Sequence, residues 1–114
     1  MPYVGIHTSK QLTGADKERI KTGLGAAISL IPNKREELLL VEFLDGNTMY
    51  MGGKQELPAA YVDVRCYKSA PYEDNKAFTE QVYQILGEMP GLETGQVYVT
   101  ITEYEHWGSK GTLK

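Results

Sequence analysis

The sequence predicts an α+β fold in which duplicated βαβ units form one four-stranded mixed sheet with two helices on one face. Three observations carry that expectation. Four segments show the two-residue alternation or short apolar run of a strand, and two longer segments between them repeat apolar residues at helical spacing. Shifting the first half by about 58 residues lays Asp16 on Asp74, Ile20 on Phe78, Leu24 on Val82 and Val41 on Val99, the mark of an old duplication. Helices of this length between strands are crossovers of parallel pairs, so two parallel pairs share the sheet.

Each element follows in order. From Pro2 to Thr8, Val4 and Ile6 alternate with Tyr3, Gly5 and His7, a half-buried strand. Thr13 to Asp16 open a helix over roughly 13–30, with Ile20, Leu24, Ala27, Ile28 and Ile31 on one face and Pro32-Asn33 as its stop. Gly23 and Gly25 inside it each cost up to about 1 kcal/mol against alanine, which is explained if the helix packs closely on the sheet. Leu38 to Phe43 reads as a buried strand closed by Asp45-Gly46-Asn47, with a brief extended piece at Met49 to Met51. After Gly52-Gly53 and Pro58, Ala60 to Tyr67 alternates Val62, Val64 and Cys66 with Tyr61, Asp63, Arg65 and Tyr67. A second helix begins near Pro71 and Asp74, carries Phe78, Val82, Ile85, Leu86 and Met89 on one face and ends at Pro90-Gly91. Val97, Val99 and Ile101 then alternate with Tyr98, Thr100 and Thr102 in the fourth strand. Residues 1–114 form one domain on this reading, with pseudo-repeats over about 2–50 and 60–104.

Composition narrows the function. Fifteen acidic residues against twelve basic ones give a net charge of -3, and the lysines and arginines are scattered, which disfavours nucleic acid as a partner. The apolar fraction of 41% and charged fraction of 24% are those of an ordinary globular chain, and no segment reads as a membrane span. One cysteine, Cys66, allows no internal disulfide, and the first residues lack the charged and apolar regions of a signal peptide, so a cytoplasmic location is expected. His7 and His106 have no ligand spacing with Cys66 or a carboxylate, so no metal site is expected. Gly23-Leu24-Gly25 lies inside a helix, not at a strand-to-helix turn, and is no dinucleotide fingerprint. One sheet face is rich in Tyr61, Tyr67 and Tyr98, too aromatic for idle surface, and points to a symmetric oligomer.

Pro2 shares strand parity with Val4 and Ile6, so it is ordered from its first atoms where most termini fray. Removal of Met1 would leave a free secondary amine there. Burial or a nearby cation disfavours the protonated form of such an amine and makes it a general base near neutral pH. With Met1 retained, the Pro2 nitrogen is an amide and not basic.

Met1-Pro2, Lys34 before the second strand, Met49-Tyr50-Met51-Gly52-Gly53, Gln96-Val97-Tyr98-Val99 and His106-Trp107-Gly108-Ser109-Lys110-Gly111-Thr112 recur in one order and spacing. On these pieces, nearly the whole chain resembles the tautomerase superfamily, nearest to its macrophage migration inhibitory factor and D-dopachrome tautomerase branch. The resemblance implies a homotrimer that interconverts keto and enol forms of an α-keto acid such as phenylpyruvate, with no cofactor. It implies Pro2 as catalytic base in a cleft between subunits and Lys34 as the cation that binds the substrate carboxylate or enolate. It also implies Tyr98 of a neighbouring subunit as a pocket wall, and the backbone at Cys66 as a substrate contact. Thr100 stands where the family has an asparagine, keeping a hydroxyl and losing an amide. Trp107 is expected to anchor the C-terminal segment on an adjacent subunit. Arg65 has no role in those tautomerases; in an alternative reading it clamps a carboxylate for decarboxylase or hydratase chemistry on small keto or unsaturated acids. A binding protein of the same fold without catalysis is the third reading.

Overall fold

The computed structural model describes residues 1–114. Strands β1 (Pro2–Thr8), β2 (Leu40–Leu44), β3 (Ala60–Tyr67) and β4 (Val97–Tyr104) form one sheet in the order β2-β1-β3-β4. Helices α1 (Gly14–Ala27) and α2 (Tyr72–Gly87) connect the strands of each parallel pair, β1 with β2 and β3 with β4. The two pairs join through the antiparallel β1–β3 ladder, so the sheet is mixed, as the sequence predicts.

The predicted parity decides which face is covered. Val4, Ile6, Val62 and Val64 are fully buried, and so are Ile20, Leu24, Phe78 and Val82 on the two helices; all of them belong to one core. Each such side chain contributes roughly 1.5–3 kcal/mol by leaving water. Ile28, Ile31, Met89 and Leu92 close the core past the helix ends. Tyr98, Thr100 and Thr102 stand on the opposite, open face.

Several boundaries differ from expectation. The α-helix stops at Ala27 and Ile28–Leu30 tightens into a 3-10 turn before Pro32, which cannot continue a helix. Glu36–Leu38 is another 3-10 turn, so β2 begins at Leu40, not Leu38. Met49 to Met51 forms no strand beyond a single bridge from Met51 to Lys54. Gly23 and Gly25 do accept close neighbours, but these are Ile85 of α2 and Glu36 of the following turn, not the sheet. The tail adds a small hairpin, β5 (Gly108–Ser109) with β6 (Thr112–Leu113). It turns at Lys110 and Gly111, whose φ values of 54° and 84° suit a two-residue hairpin loop.

The start of α1 is fixed by a reciprocal cap. The Thr13 hydroxyl accepts from the Asp16 N–H at 3.0 Å, and the Asp16 carboxylate accepts from the Thr13 N–H at 3.0 Å. Thr13→Ala is expected to lower stability by about 1 kcal/mol, read as a reduced urea midpoint at unchanged slope.

Candidate active site

At the end of the sheet where β1 begins, Pro2 is buried and pairs with Cys66. The Met1 carbonyl accepts the Tyr67 N–H at 3.2 Å, so the chain is held from its first peptide group. Lys34 reaches the same place from the other side. Asn33 takes a left-handed turn at φ 66°, a conformation asparagine tolerates, and the Lys34 N–H donates to the Ile31 carbonyl at 3.1 Å. The Lys34 side chain then runs inward until Nζ donates to the Tyr67 carbonyl at 2.8 Å, with the residue only 9% exposed. An ammonium has three donors, so two remain for another acceptor.

The electrostatics of this corner depress a terminal amine. Burial is the largest cause and the Lys34 charge the next, and together they hold the Met1 amine below its usual range, with Lys114 and Arg35 adding in the same direction. Burial pushes the Cys66 thiol the other way, upward, against the opposing pull of Lys34. Cys66 is 2% exposed and free. At neutral pH a thiol reagent is therefore expected to modify it many-fold more slowly in the native chain than in urea, measured by absorbance of the released chromophore. Equal rates in the two states would contradict the burial argument.

Beside this corner, on the open face, lies a cavity of about 420 Å³ lined by Tyr3, Leu40, Arg65, Tyr104, His106, Trp107 and Gly108. The β5–β6 hairpin places Trp107, whose N–H donates to the Lys114 carbonyl at 3.2 Å, and the indole meets the Tyr104 ring edge-on at 6.0 Å. The Tyr3 hydroxyl donates to Glu42 at 2.7 Å, and that bond, with burial, pushes its pKa up to about 12. Arg65 lies over the Tyr3 ring at 5.8 Å and is paired with Asp63 at 2.9 Å. Asp63 is nearly buried beneath that guanidinium, although its strand parity predicts exposure.

Pro2, Lys34 and Cys66 thus meet at one corner, and Arg65 and Trp107 line the adjoining cavity. Tyr98 and Thr100 do not join them within one chain. Tyr98 pairs with Tyr61, five residues along β3 from Cys66, or about 16 Å at strand rise. The Thr100 hydroxyl is engaged by the Tyr61 hydroxyl at 2.5 Å. Tyr3, Leu40, Tyr104 and His106 were missed as cavity walls in the sequence. For Tyr3 the adjacency to Pro2 was a usable signal, and for Tyr104, the last residue of β4, so was its parity with Tyr98, Thr100 and Thr102; His106 lies between β4 and the tail hairpin, where periodicity reveals nothing.

The family model for macrophage migration inhibitory factor matches residues 1–113. The chain belongs to the macrophage migration inhibitory factor family. Its fold is similar to that of Leishmania major MIF2, with TM-score 0.90 and 22% identity over 100% of this chain and 97% of that one. The macrophage migration inhibitory factor-like protein of Entamoeba histolytica gives TM-score 0.84 and 20% identity over 99% and 98%. Pt0534, solved after inactivation by 2-oxo-3-pentynoate, gives 0.80 and 17% over 96% and 93%. No curated protein sequence matches the chain significantly. No helix of this family member is long and apolar enough to cross a membrane.

Proposed function

We propose that the chain is a cofactor-independent keto–enol tautomerase for α-keto acids of the phenylpyruvate type, with Pro2 as general base once Met1 is removed. The observation that carries this is that Lys34, with Nζ on the Tyr67 carbonyl at 2.8 Å, shares a buried corner with the head of β1, where burial and its charge hold the Met1 amine below its usual range. Removing Met1 moves that amine one residue inward, onto a residue that is itself buried. The Pro2 nitrogen takes a proton from the carbon α to the ketone, and the carbon–hydrogen electrons move into the carbonyl, leaving an enolate. The same proton is returned to the enolate oxygen, so atoms and charge balance. Lys34, with two donors free of Tyr67, stabilises the oxygen or the adjacent carboxylate as charge develops. That a 2-oxo acid inactivates Pt0534, a protein of the same fold, accords with this substrate class.

The same reading takes the assembly as a homotrimer. Tyr98 is 64% exposed on the open face and far from Pro2 of its own chain, so it serves a pocket only from a neighbouring copy. The experiment is an enol–keto absorbance assay with phenylpyruvate on a sample whose N-terminus is verified by intact mass and whose size is measured by sedimentation. Turnover by the Pro2-initiated form and a mass three times the monomer's are expected. No turnover by that form rejects the reading.

A further inference from the structure

Arg65 is the cavity's one arginine, and its geometry leaves it half committed. Both its Nε and Nη2 approach Asp63 Oδ2, at 3.1 and 2.9 Å. A guanidinium carries five N–H donors, so the edge formed by Nη1 and the outer N–H of Nη2 has no partner in the chain. The Arg65 side chain is 51% exposed against 12% for Asp63, so Asp63 sits beneath as a fixed counter-charge and the free edge faces the cavity mouth. The orientation is held from below as well. The Tyr3 side chain crosses over Gly5, where an added methyl would come 2.5 Å from the Tyr3 oxygen, and the Arg65 guanidinium lies 5.8 Å from the centre of that ring. A carboxylate meeting the free edge would form two parallel hydrogen bonds, the pairing for which a guanidinium is best shaped.

The other walls set the rest of the ligand. Tyr3, Tyr104, Trp107 and Leu40 give flat apolar surface around Arg65. Pro2 pairs with Cys66 and Tyr3 pairs with Arg65, so Pro2 and Arg65 are diagonal neighbours roughly 6 Å apart at the backbone. Pro2 is on the covered-face parity and Arg65 on the open one, so a ligand with its reacting end at Pro2 and Lys34 reaches Arg65 with its far end by rounding the head of β1 past Tyr3. We propose that Arg65 is a specificity-determining subsite for a second carboxylate, and that the preferred substrate is a 2-oxo acid carrying that carboxylate at the far end of a flat unsaturated or aromatic skeleton. The choice of substrate class rests on the tautomerase reading, whereas the carboxylate subsite does not.

Trp107 is the only tryptophan of the chain and lines the cavity, so its fluorescence reports occupancy without any turnover. The probes are phenylpyruvate and 4-carboxyphenylpyruvate, which differ only in the distal carboxylate. Titrations of the full chain by fluorescence are paired with KM and kcat for both acids. The diacid is expected to bind about 10- to 100-fold tighter, the range for a charge-assisted hydrogen-bonded pair, with the preference in KM and not in kcat. Removing Arg65 alone would strand Asp63, so the variant is Arg65→Gln with Asp63→Asn, which keeps a neutral pair. In it the ratio between the two acids is expected to fall to near one. Arg65→Lys should recover only part of the ratio, because an ammonium lacks the fork. A ratio near one in the wild type, or a ratio the double variant leaves unchanged, overturns the inference. Tighter Arg65-dependent binding of the diacid with neither acid turned over supports the subsite and rejects the tautomerase reading. Turnover of phenylpyruvate with no advantage for the diacid does the reverse.

Discussion

Pro2→Ala is expected to lower kcat/KM for phenylpyruvate enolisation by about 10²- to 10⁴-fold, the usual contribution of a positioned base. After removal of Met1 the variant still carries an amine, but a primary one that lacks the ring fixing it at the head of β1. The expected loss corresponds to about 3–5 kcal/mol of transition-state stabilisation. Secondary structure should be unaffected, because the β1–β3 ladder from Tyr3 to Thr8 is independent of the proline ring. A form that retains Met1 should be silent, since its Pro2 nitrogen is an amide. Unchanged turnover in Pro2→Ala, or full activity with Met1 attached, removes the amine from the mechanism.

The pH dependence follows from the direction of the amine's shift. A base acts when unprotonated; burial and the Lys34 charge hold the Met1 amine low, and the Pro2 amine exposed by its removal is expected to be held low by the same two causes. Activity should thus rise with pH along an acidic limb lying below the value of the same amine in the unfolded chain. The stability consequence has the same sign. The folded amine binds fewer protons than the unfolded one, so its burial costs nothing above the unfolded value and costs increasingly as pH falls through the folded value.

The second large effect is expected from Lys34→Met, which keeps the aliphatic stem and removes the charge. Losing one preorganised group at a developing oxyanion costs about 10²- to 10³-fold in kcat. Lys34 is also the second cause of the depressed Met1 amine, and the Pro2 amine at the same corner is expected to feel the same charge, so its loss should move the acidic limb to higher pH; burial remains, so the limb should not reach the unperturbed value. The Tyr67 carbonyl loses its side-chain donor, at a cost of about 1–3 kcal/mol, partly offset because a nearly buried charge is removed as well. Lys34→Arg should retain more activity than Lys34→Met. An unshifted pH profile in Lys34→Met would detach Lys34 from the amine.

How much of this was legible varies by element. The alternation of Val4 and Ile6, of Val62, Val64 and Cys66, and of Val97 and Val99 identified the covered face, because sheet parity has a period of two and the helices bury only one side. The 3-10 turns at Ile28–Leu30 and Glu36–Leu38 were not legible, since three residues are too few to show a period. Lys34 was marked by resemblance, but its approach to Tyr67 depends on the left-handed turn at Asn33, and nothing in the local sequence specifies where a flexible side chain ends. Asp63 was misread as exposed: parity placed it on the open face, and only the guanidinium two residues on explains its burial.

The sequence by itself determined the order of the strands and helices, the covered face, the ordered Pro2 and the scattered charge that disfavours nucleic acid, because these depend on periodicity and composition within short windows. Only the tertiary structure decided that β1 and β3 lie at the centre, that Lys34 and Pro2 share a corner, and that Tyr3, Arg65, Tyr104 and Trp107 enclose a cavity. Those are meetings of residues dozens of positions apart. They are set by register and packing across the whole chain, which no local pattern encodes.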